Sequence, residues 1–418
     1  MSDSDLKHSI KPTIDAIASI RLLFPEGLHS RLFLVGGSVR DQLIGQPIHD
    51  VDMVTDLSAV QLEGLSFRRV HGKTTDPIYF KSHPTFGKIE ITLLADGQSF
   101  EDDLLRRDFS CNAVAMALDG TIVDPLGGQD DIKKRILVPC SGESISNDPI
   151  RIFRAFRFES NGWSLSPELV NAIKDGCKDD RFSTIPIERF SREMLKAMEC
   201  IQPDVFFSRM VELGVGRNYL FEIFQMQEIP AGPAKYHGKD TVFTHSLDVL
   251  RRMAVMTNDP TARLAAFFHD LGKLATPPEL LPRHFAHDKA GETISRNVCS
   301  RLKLSASCCR AVSAVNALHL VAGRWGELKS VTKLKLSRRA LKSGISSWLP
   351  LIVSADRNIQ DPMPGWESVC HVAGMSANNL GISTEKLETV LSTERQHLID
   401  NMQLKLYAKM ILRSGECN

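Results

Sequence analysis

The hydrophobic rhythm of this chain changes once, and that change limits the folds open to it. Up to about residue 140, short apolar runs ("RLFLVGG", "KIEITLL", "CNAVAMAL", "TIVDPL") alternate with glycine-rich breaks. Such runs predict strands of a small mixed sheet. After about residue 145 the strand signals fade. Apolar residues then recur at helical spacing in "DPIRIFRAFRFES", "IERFSREMLKAMEC" and "ARLAAFFHDLGKLA". A chain of 418 residues is too long for one core. The expectation is an α+β protein whose sheet lies in the first part and whose remainder is all helical. "IPAGPAKYHGKD" (229–240), with two prolines and two glycines, reads as a linker. The expected organisation is a leader (1–28), a sheet domain (29–140), a helical segment (141–228), a second helical domain (229–360) and a helical tail (361–418).

Within the first part, "HDVDMVTD" holds Asp50 and Asp52 in a strand-like run. Alternate strand residues share a face, so these carboxylates repel unless a cation or water separates them. Upstream, "FLVGGSVRD" ends a strand at Gly36 and Gly37, begins a helix and supplies Arg40. Glycines let backbone N–H groups approach an anion closely. A Gly-Gly turn alone is only a turn, but Gly-Gly, Arg and Asp-x-Asp within one strand–helix–strand unit suit a metal-bound triphosphate. Mg²⁺ is the hard cation for such carboxylates, and Glu90 of "GKIEITLL" is the candidate third ligand, an exposed strand residue being the equal alternative. "EDDLLRRDFSCNAVA" adds Arg106 and Arg107, cations that could reach the same anion where adjacent loop arginines are otherwise solvated, and then Asp108.

Asp148, Arg151, Arg154 and Arg157 of "NDPIRIFRAFRF" are spaced by three and lie along one helix surface. A salt-bridged helix face has the same spacing. The polarity of the pair offers more, because Asp accepts and Arg donates. Cytosine and adenine each present an amino donor beside a ring acceptor, whereas guanine and uracil reverse that pattern. An Asp–Arg pair would therefore accept CTP and ATP without a template.

The helical part carries a second constellation: His245 in "FTHSLDVL", His269–Asp270 in "FFHDLGKL", His284 and His287 in "PRHFAHDKAG", His319 in "NALHL" and Asp356 in "VSADRN". Imidazoles and carboxylates suit a divalent metal acting on a phosphoester. A lone histidine on an apolar helix is a packing residue more often than a ligand. Adjacent His269 and Asp270 between "AAF" and "LGK" are harder to account for by packing.

In order, "LVGGSVRD", "HDVDMVTD", "DDLLRRDFSCNA" and "DPIRIFRAFRF" resemble class II tRNA nucleotidyltransferases and bacterial poly(A) polymerases. The resemblance implies a polymerase-β-like head with neck, body and tail. It also implies Mg²⁺ on Asp50 and Asp52, and triphosphate contacts from Gly37 and Arg40. Arg107, Arg151 and Arg154 would contact the incoming nucleotide, and "IERF" at 187–190 resembles a structural neck segment. The helical part resembles an HD phosphohydrolase domain, which implies His245, His269, Asp270 and Asp356 as ligands of Ni²⁺, Co²⁺, Mn²⁺ or Mg²⁺. "PPELLPRHFAHDKAG" resembles the gammaproteobacterial tRNA nucleotidyltransferase that fuses the two, and implies phosphatase and 2′,3′-cyclic phosphodiesterase activities. Two departures stand out. Asn147 occupies a position where the family has Glu. Only "ITLLADGQSFED" separates Glu90 from the following segment, where full CCA-adding relatives have a loop roughly a dozen residues longer. Shortened loops accompany enzymes that add only the two cytidines, so weak terminal A addition is expected.

The formal net charge is +1, so an RNA partner must be held by local basic patches. "LKSVTKLKLSRRALKSG" clusters Lys329, Lys333, Lys335, Arg338, Arg339 and Lys342. The nine cysteines form no Cys-x-x-Cys pair, which fits reduced thiols in a cytoplasm. No basic start precedes an apolar run, and no run approaches the ~18 residues of a membrane span. The expected partners are tRNA, CTP and ATP, with no membrane and no obligate protein partner. The competing readings are a CC-only enzyme, a poly(A) polymerase, and an HD hydrolase repairing RNA ends.

Overall fold

The computed structural model describes residues 13–48, 50–70, 77–178 and 185–414. Most of the first half of the expected leader, residues 1–12, lies outside the described residues. The chain divides into two compact units, residues 1–182 and 183–418.

The first unit is built on a seven-stranded sheet. Its strands are β1 (Leu32–Val35), β2 (Val51–Thr55), β3 (Arg68–Arg69), β4 (Ile78–His83), β5 (Gly87–Leu93), β6 (Ala115–Ala117) and β7 (Ile122–Val123), in the order β3-β4-β5-β2-β1-β6-β7. β2 and β5 run parallel, and the other pairings are antiparallel. All four residues of "LFLV" in β1 are buried, which explains its unbroken apolar run. Phe33, Val35, Val54, Leu104 and Ala115 form one packed cluster.

Three helices of this unit carry or lead into candidate residues: α1 (Gly37–Leu43), α2 (Phe100–Leu105) and α3 (Arg151–Glu159). Six residues, 94–99, connect β5 to α2. They form a tight turn, with Gln98 N–H donating to the Ala95 carbonyl. Ser99 then caps α2: its Oγ accepts from Asp102 N–H, and the Asp102 carboxylate accepts from Ser99 N–H. The shortened loop is therefore an ordered turn. In α3, Ile152, Phe153, Ala155 and Phe156 are buried, while the arginines between them reach a more open side.

The second unit is helical. Its helices include α4 (Val242–Met256), α5 (Pro260–Phe267), α6 (His287–Arg301), α7 (Ala306–Ala322), α8 (Ser330–Ser343) and α9 (Leu349–Arg357). Phe207 and Phe267 stack with centroids 3.9 Å apart at its core. Asp259 caps α5, accepting from Thr261 and Ala262 N–H. Arg263, 2% exposed, donates to the carbonyls of Met198, Cys200, Ala254 and Thr257. Its fork satisfies backbone acceptors that burial would otherwise leave unpaired. Among the described residues, no helix is long and apolar enough to cross a membrane.

Candidate functional site

The first site begins where β1 ends. Gly36 has φ +64° and ψ −129°, a conformation open to glycine. A Cβ there would come within 3.0 Å of Arg107 Nη1, so the missing side chain lets that guanidinium approach the backbone. Ser38, in the first turn of α1, ties the Gly-Gly segment to the acidic strand. Its Oγ donates to the Asp50 carbonyl (3.1 Å) and accepts from Asp52 N–H (3.2 Å).

Asp52 is the exposed residue of β2, whose other four residues are buried. Its register partner on the parallel strand is Glu90. Crowding between the strands strips hydration from the Asp52 carboxyl and raises its pKa. Glu90 and Asp50 raise it further, and Arg107 and Lys88 offset this only in part. Lys88 pairs with Glu90 directly. An all-oxygen donor set with surplus negative charge fits Mg²⁺.

Around the carboxylates lies a chain of charged hydrogen bonds. Arg107 donates through Nε and Nη2 to Asp103, and Arg106 donates to the other oxygen of the same carboxylate. Burial alone would raise the Asp103 pKa; the two arginines outweigh it and hold it down. Arg40 donates to Asn112 Oδ1 (2.7 Å) and to Asp41, and sits 4.9 Å from the Phe158 ring centroid. Asn112 in turn donates to Asp108 Oδ1 (2.9 Å). Arg154 donates to Asp108 Oδ2 through Nε (2.8 Å) and Nη2 (2.6 Å). Burial would raise the Asp108 carboxyl, but Arg154, Asn112 and the Phe109 N–H keep it below its ordinary value. Arg151 donates to the carbonyls of Arg106 (2.7 Å) and Arg107 (2.9 Å) and to Ser144. Asp148 ends the short helix Ser144–Asn147, and its carbonyl accepts from Arg151 N–H. The structure thus gathers Gly36, Gly37, Arg40 and Arg107 beside Asp50 and Asp52, with Arg151 and Arg154 fastened to the Arg106–Asp108 segment. Sequence reasoning did not single out Ser38, Asp103 or Asn112. The "DDLLRR" spacing, four residues from Asp103 to Arg107, was the available signal.

The second site lies in the helical unit and centres on Asp270. His245 comes from α4, Asp356 from α9, His287 from the start of α6 and His319 from α7, while His269–Asp270 follows α5. His269 Nε2 lies 3.1 Å from Asp270 Oδ2, and His245 Nε2 lies 3.8 Å from the same oxygen and 2.9 Å from Asp356 Oδ1. His287 Nε2 (3.4 Å) and His319 Nε2 (3.5 Å) face Asp270 Oδ1. Two ligand groups, His245–His269–Asp270 and Asp270–His287–His319, therefore share one aspartate.

The imidazoles are oriented from behind. Nδ1 of His269 donates to the Ala266 carbonyl (2.7 Å), Nδ1 of His287 to the His284 carbonyl (3.0 Å) and Nδ1 of His319 to the Asn316 carbonyl (3.0 Å). A carbonyl only accepts, so each Nδ1 carries hydrogen and each Nε2 can present a lone pair. Nε2 of His269 and of His287 are buried without a well-directed hydrogen-bond partner among the described residues. Burial alone would lower the His269 pKa, but Asp270 and Asp356 outweigh it and raise it to about 10. The pocket thus calls for a positive partner, and this donor set fits a divalent cation. Lys273 donates to Asp270 Oδ2 (2.7 Å) and the Ala231 carbonyl (2.6 Å). His284 stands apart, bridging Thr276 Oγ1 and the Pro230 carbonyl. A cavity of about 790 Å³, lined also by Arg252 and Arg357, opens onto the cluster.

Fold and sites define a nucleotidyltransferase head joined to an HD-type helical domain. The poly A polymerase head domain family matches residues 32–95 and 78–138, and the HD domain family matches residues 242–341. A multifunctional CCA protein of Teredinibacter turnerae is 32% identical over 324 residues, covering 73% of this chain and 78% of the relative. One of Methylococcus capsulatus is 29% identical over 387 residues, covering 86% and 90%. A solved CCA-adding enzyme with CTP shares the fold at a TM-score of 0.64 and 17% identity, covering 98% of this chain and 97% of that one. The Bacillus stearothermophilus CCA-adding enzyme in complex with CTP does so at 0.64 and 22%, covering 94% and 92%. The chain belongs to the multifunctional CCA protein family.

Proposed function

We propose that this protein is a template-independent tRNA 3′-end nucleotidyltransferase that uses CTP and ATP to build or repair the CCA terminus in the cytoplasm. The observation that carries the reading is Asp52 facing Glu90 across parallel strands, beside Asp50 and the Gly36–Arg40 turn. Asp50 and Asp52, with Glu90, would hold Mg²⁺, which when bound supplies Lewis-acid activation of the tRNA 3′-hydroxyl and charge neutralisation of the leaving pyrophosphate. Arg40 and Arg107, held by Asn112 and Asp103, are aimed to grip the triphosphate beside the Gly36–Gly37 backbone. Asp148 and Arg151 read the amino-and-acceptor edge shared by cytosine and adenine. Arg151 already binds the Arg106 and Arg107 carbonyls through its Nη atoms, so base reading falls to its Nε edge or requires those bonds to exchange.

In the HD unit, His245, His269, Asp270 and Asp356 would hold one divalent cation, and Asp270, His287 and His319 would accommodate a second. Ni²⁺, Co²⁺, Mn²⁺ or Mg²⁺ there would activate water against a phosphoester, giving phosphatase or 2′,3′-cyclic phosphodiesterase activity.

A poly(A) polymerase and an HD-only repair hydrolase are not favoured, because the family likeness runs through both head and HD segments. Nor is a CC-only enzyme, despite the six-residue turn between β5 and α2. The test is sequencing of products on tRNA lacking CCA, with CTP alone, ATP alone and both. The expected products are CC with CTP alone and CCA with both. No incorporation of either nucleotide would overturn the reading, and arrest at CC with both present would restore the CC-only alternative.

A further inference from the structure

The basic cluster noticed in the sequence does not act as one face. Arg338 pairs with Asp400 at 2.9 Å, and Lys333 lies 4.7 Å from the Trp325 ring centroid. Arg339 instead joins arginines from two other helices. Arg296 of α6, Arg310 of α7 and Arg339 of α8 line one cavity of about 560 Å³. A neighbouring cavity of about 300 Å³ shares Arg310 and Ser343 with it and adds Lys342. One carboxylate, Glu292, lines the pair of cavities. It bonds Arg296 at 2.9 Å and lies 4.0 Å from Arg339. Four cations against one carboxylate leave a local surplus of three, on a chain whose total is +1. Arg310 and Lys342 have no ion-pair partner among the described residues, so desolvating an anion there need not first break a salt bridge.

The chemistry of the walls selects the kind of anion. Arginine forks bind phosphate oxygens bidentately, and Ser300 and Ser343 add neutral hydroxyl donors. The larger cavity has no aromatic side chain on which a base could stack. Its apolar floor of Leu304, Ala306 and Ala314 lowers the local dielectric and strengthens each charged contact.

We propose that the groove between α6, α7 and α8 grips the phosphate backbone of the tRNA substrate, independently of its sequence. The proposal rests on the tRNA nucleotidyltransferase reading and gives it a holding surface in the HD unit. Phosphate contacts fix register and carry no sequence information. Such a surface would serve an enzyme that must accept tRNAs of every sequence.

The test uses the full-length protein with Arg310→Ala, Lys342→Ala and their combination. For the combination, the tRNA Kd at 0.15 M salt should rise about tenfold. The slope of log affinity against log salt should fall by about 0.7–0.9 per phosphate contact removed. KM for tRNA should rise with kcat at saturating tRNA unchanged, and directly measured CTP binding should stay at the wild-type value. Arg310→Lys, which keeps the charge, should retain most of the slope and guards against a folding artefact. Wild-type Kd and salt slope in the combined variant would overturn the groove alone. A wild-type protein that fails to bind tRNA would overturn the enzyme reading and the groove with it.

Discussion

At the residue scale, Asp52 is held open on a strand whose other positions are buried, opposite Glu90 and beside Asp50. A carboxylate kept there against repulsion has its use in binding a cation. Replacing either strand aspartate by alanine removes ligating charge but no core packing. Asp50→Ala or Asp52→Ala should therefore lower CTP incorporation at least about a hundredfold, the scale of losing one charge-stabilising group. Melting temperature and tRNA affinity should stay near wild type, and labelled-CTP incorporation beside a melt would check both. Asp108 illustrates the opposite case, a buried carboxylate already satisfied by Arg154, Asn112 and the Phe109 N–H. Its pKa is held below the ordinary 3.8. A depressed carboxylate contributes its stability in full above the unfolded value and loses it as pH falls through the folded one. The first unit should accordingly lose stability progressively below about pH 4. Asp108→Asn should cost about 2 kcal/mol near neutral pH and flatten that acid slope. Trp163, the one tryptophan of the first unit, would report the transition once the other three are replaced by phenylalanine.

At the scale of elements, β1 was legible because a strand buried on both faces reads as an unbroken apolar stretch, and β2 and β5 because apolar residues flank Asp52 and Glu90 at strand spacing. β7 falls within the strand-like run "TIVDPL", whereas the two-residue β3 was not legible, since its two exposed arginines carry no apolar signal. α3 was legible from its three-residue arginine spacing, but the partners of those arginines were not. Arg154 reaches Asp108 across 46 positions, and Arg151 reaches carbonyls, which have no side-chain signature. The histidines of the second site were all visible, yet nothing in their spacing showed that His287 and His319 face the same carboxylate as His269 while His284 turns away. That arrangement depends on close approach of the turn after Asp270 to α6. A Cβ on Gly272 would sit 1.8 Å from the His287 carbonyl oxygen and 2.6 Å from Gly291 N. Gly272→Ala must push that turn off α6, at a cost of roughly 1–3 kcal/mol. Metal titration by calorimetry should show weakened binding together with a lowered melting temperature. Wild-type values for both would mean that the contact does not position the ligands.

On the scale of the whole molecule, each site is assembled within one unit. The head site uses residues between Gly36 and Arg154, and the HD site residues between His245 and Asp356, with none in common. The carboxylates of one share no hydrogen bond or ion pair with those of the other among the described residues. Substitutions without shared partners act additively, so the two activities should separate by mutation. His269→Ala with Asp270→Ala removes the aspartate common to both ligand groups, and should abolish metal-dependent hydrolysis of 2′,3′-cyclic and phosphate-ended substrates. CTP addition in that variant should stay within about twofold of wild type. Asp50→Ala with Asp52→Ala should give the reverse pattern, hydrolysis retained and addition lost. Both assays belong on the same preparations with Mg²⁺, Mn²⁺, Co²⁺ and Ni²⁺ supplied in turn. An HD variant that loses CTP addition while keeping its melting temperature would show that the two sites work as one. Absence of hydrolysis by the wild type with every metal would reduce the HD unit to a scaffold.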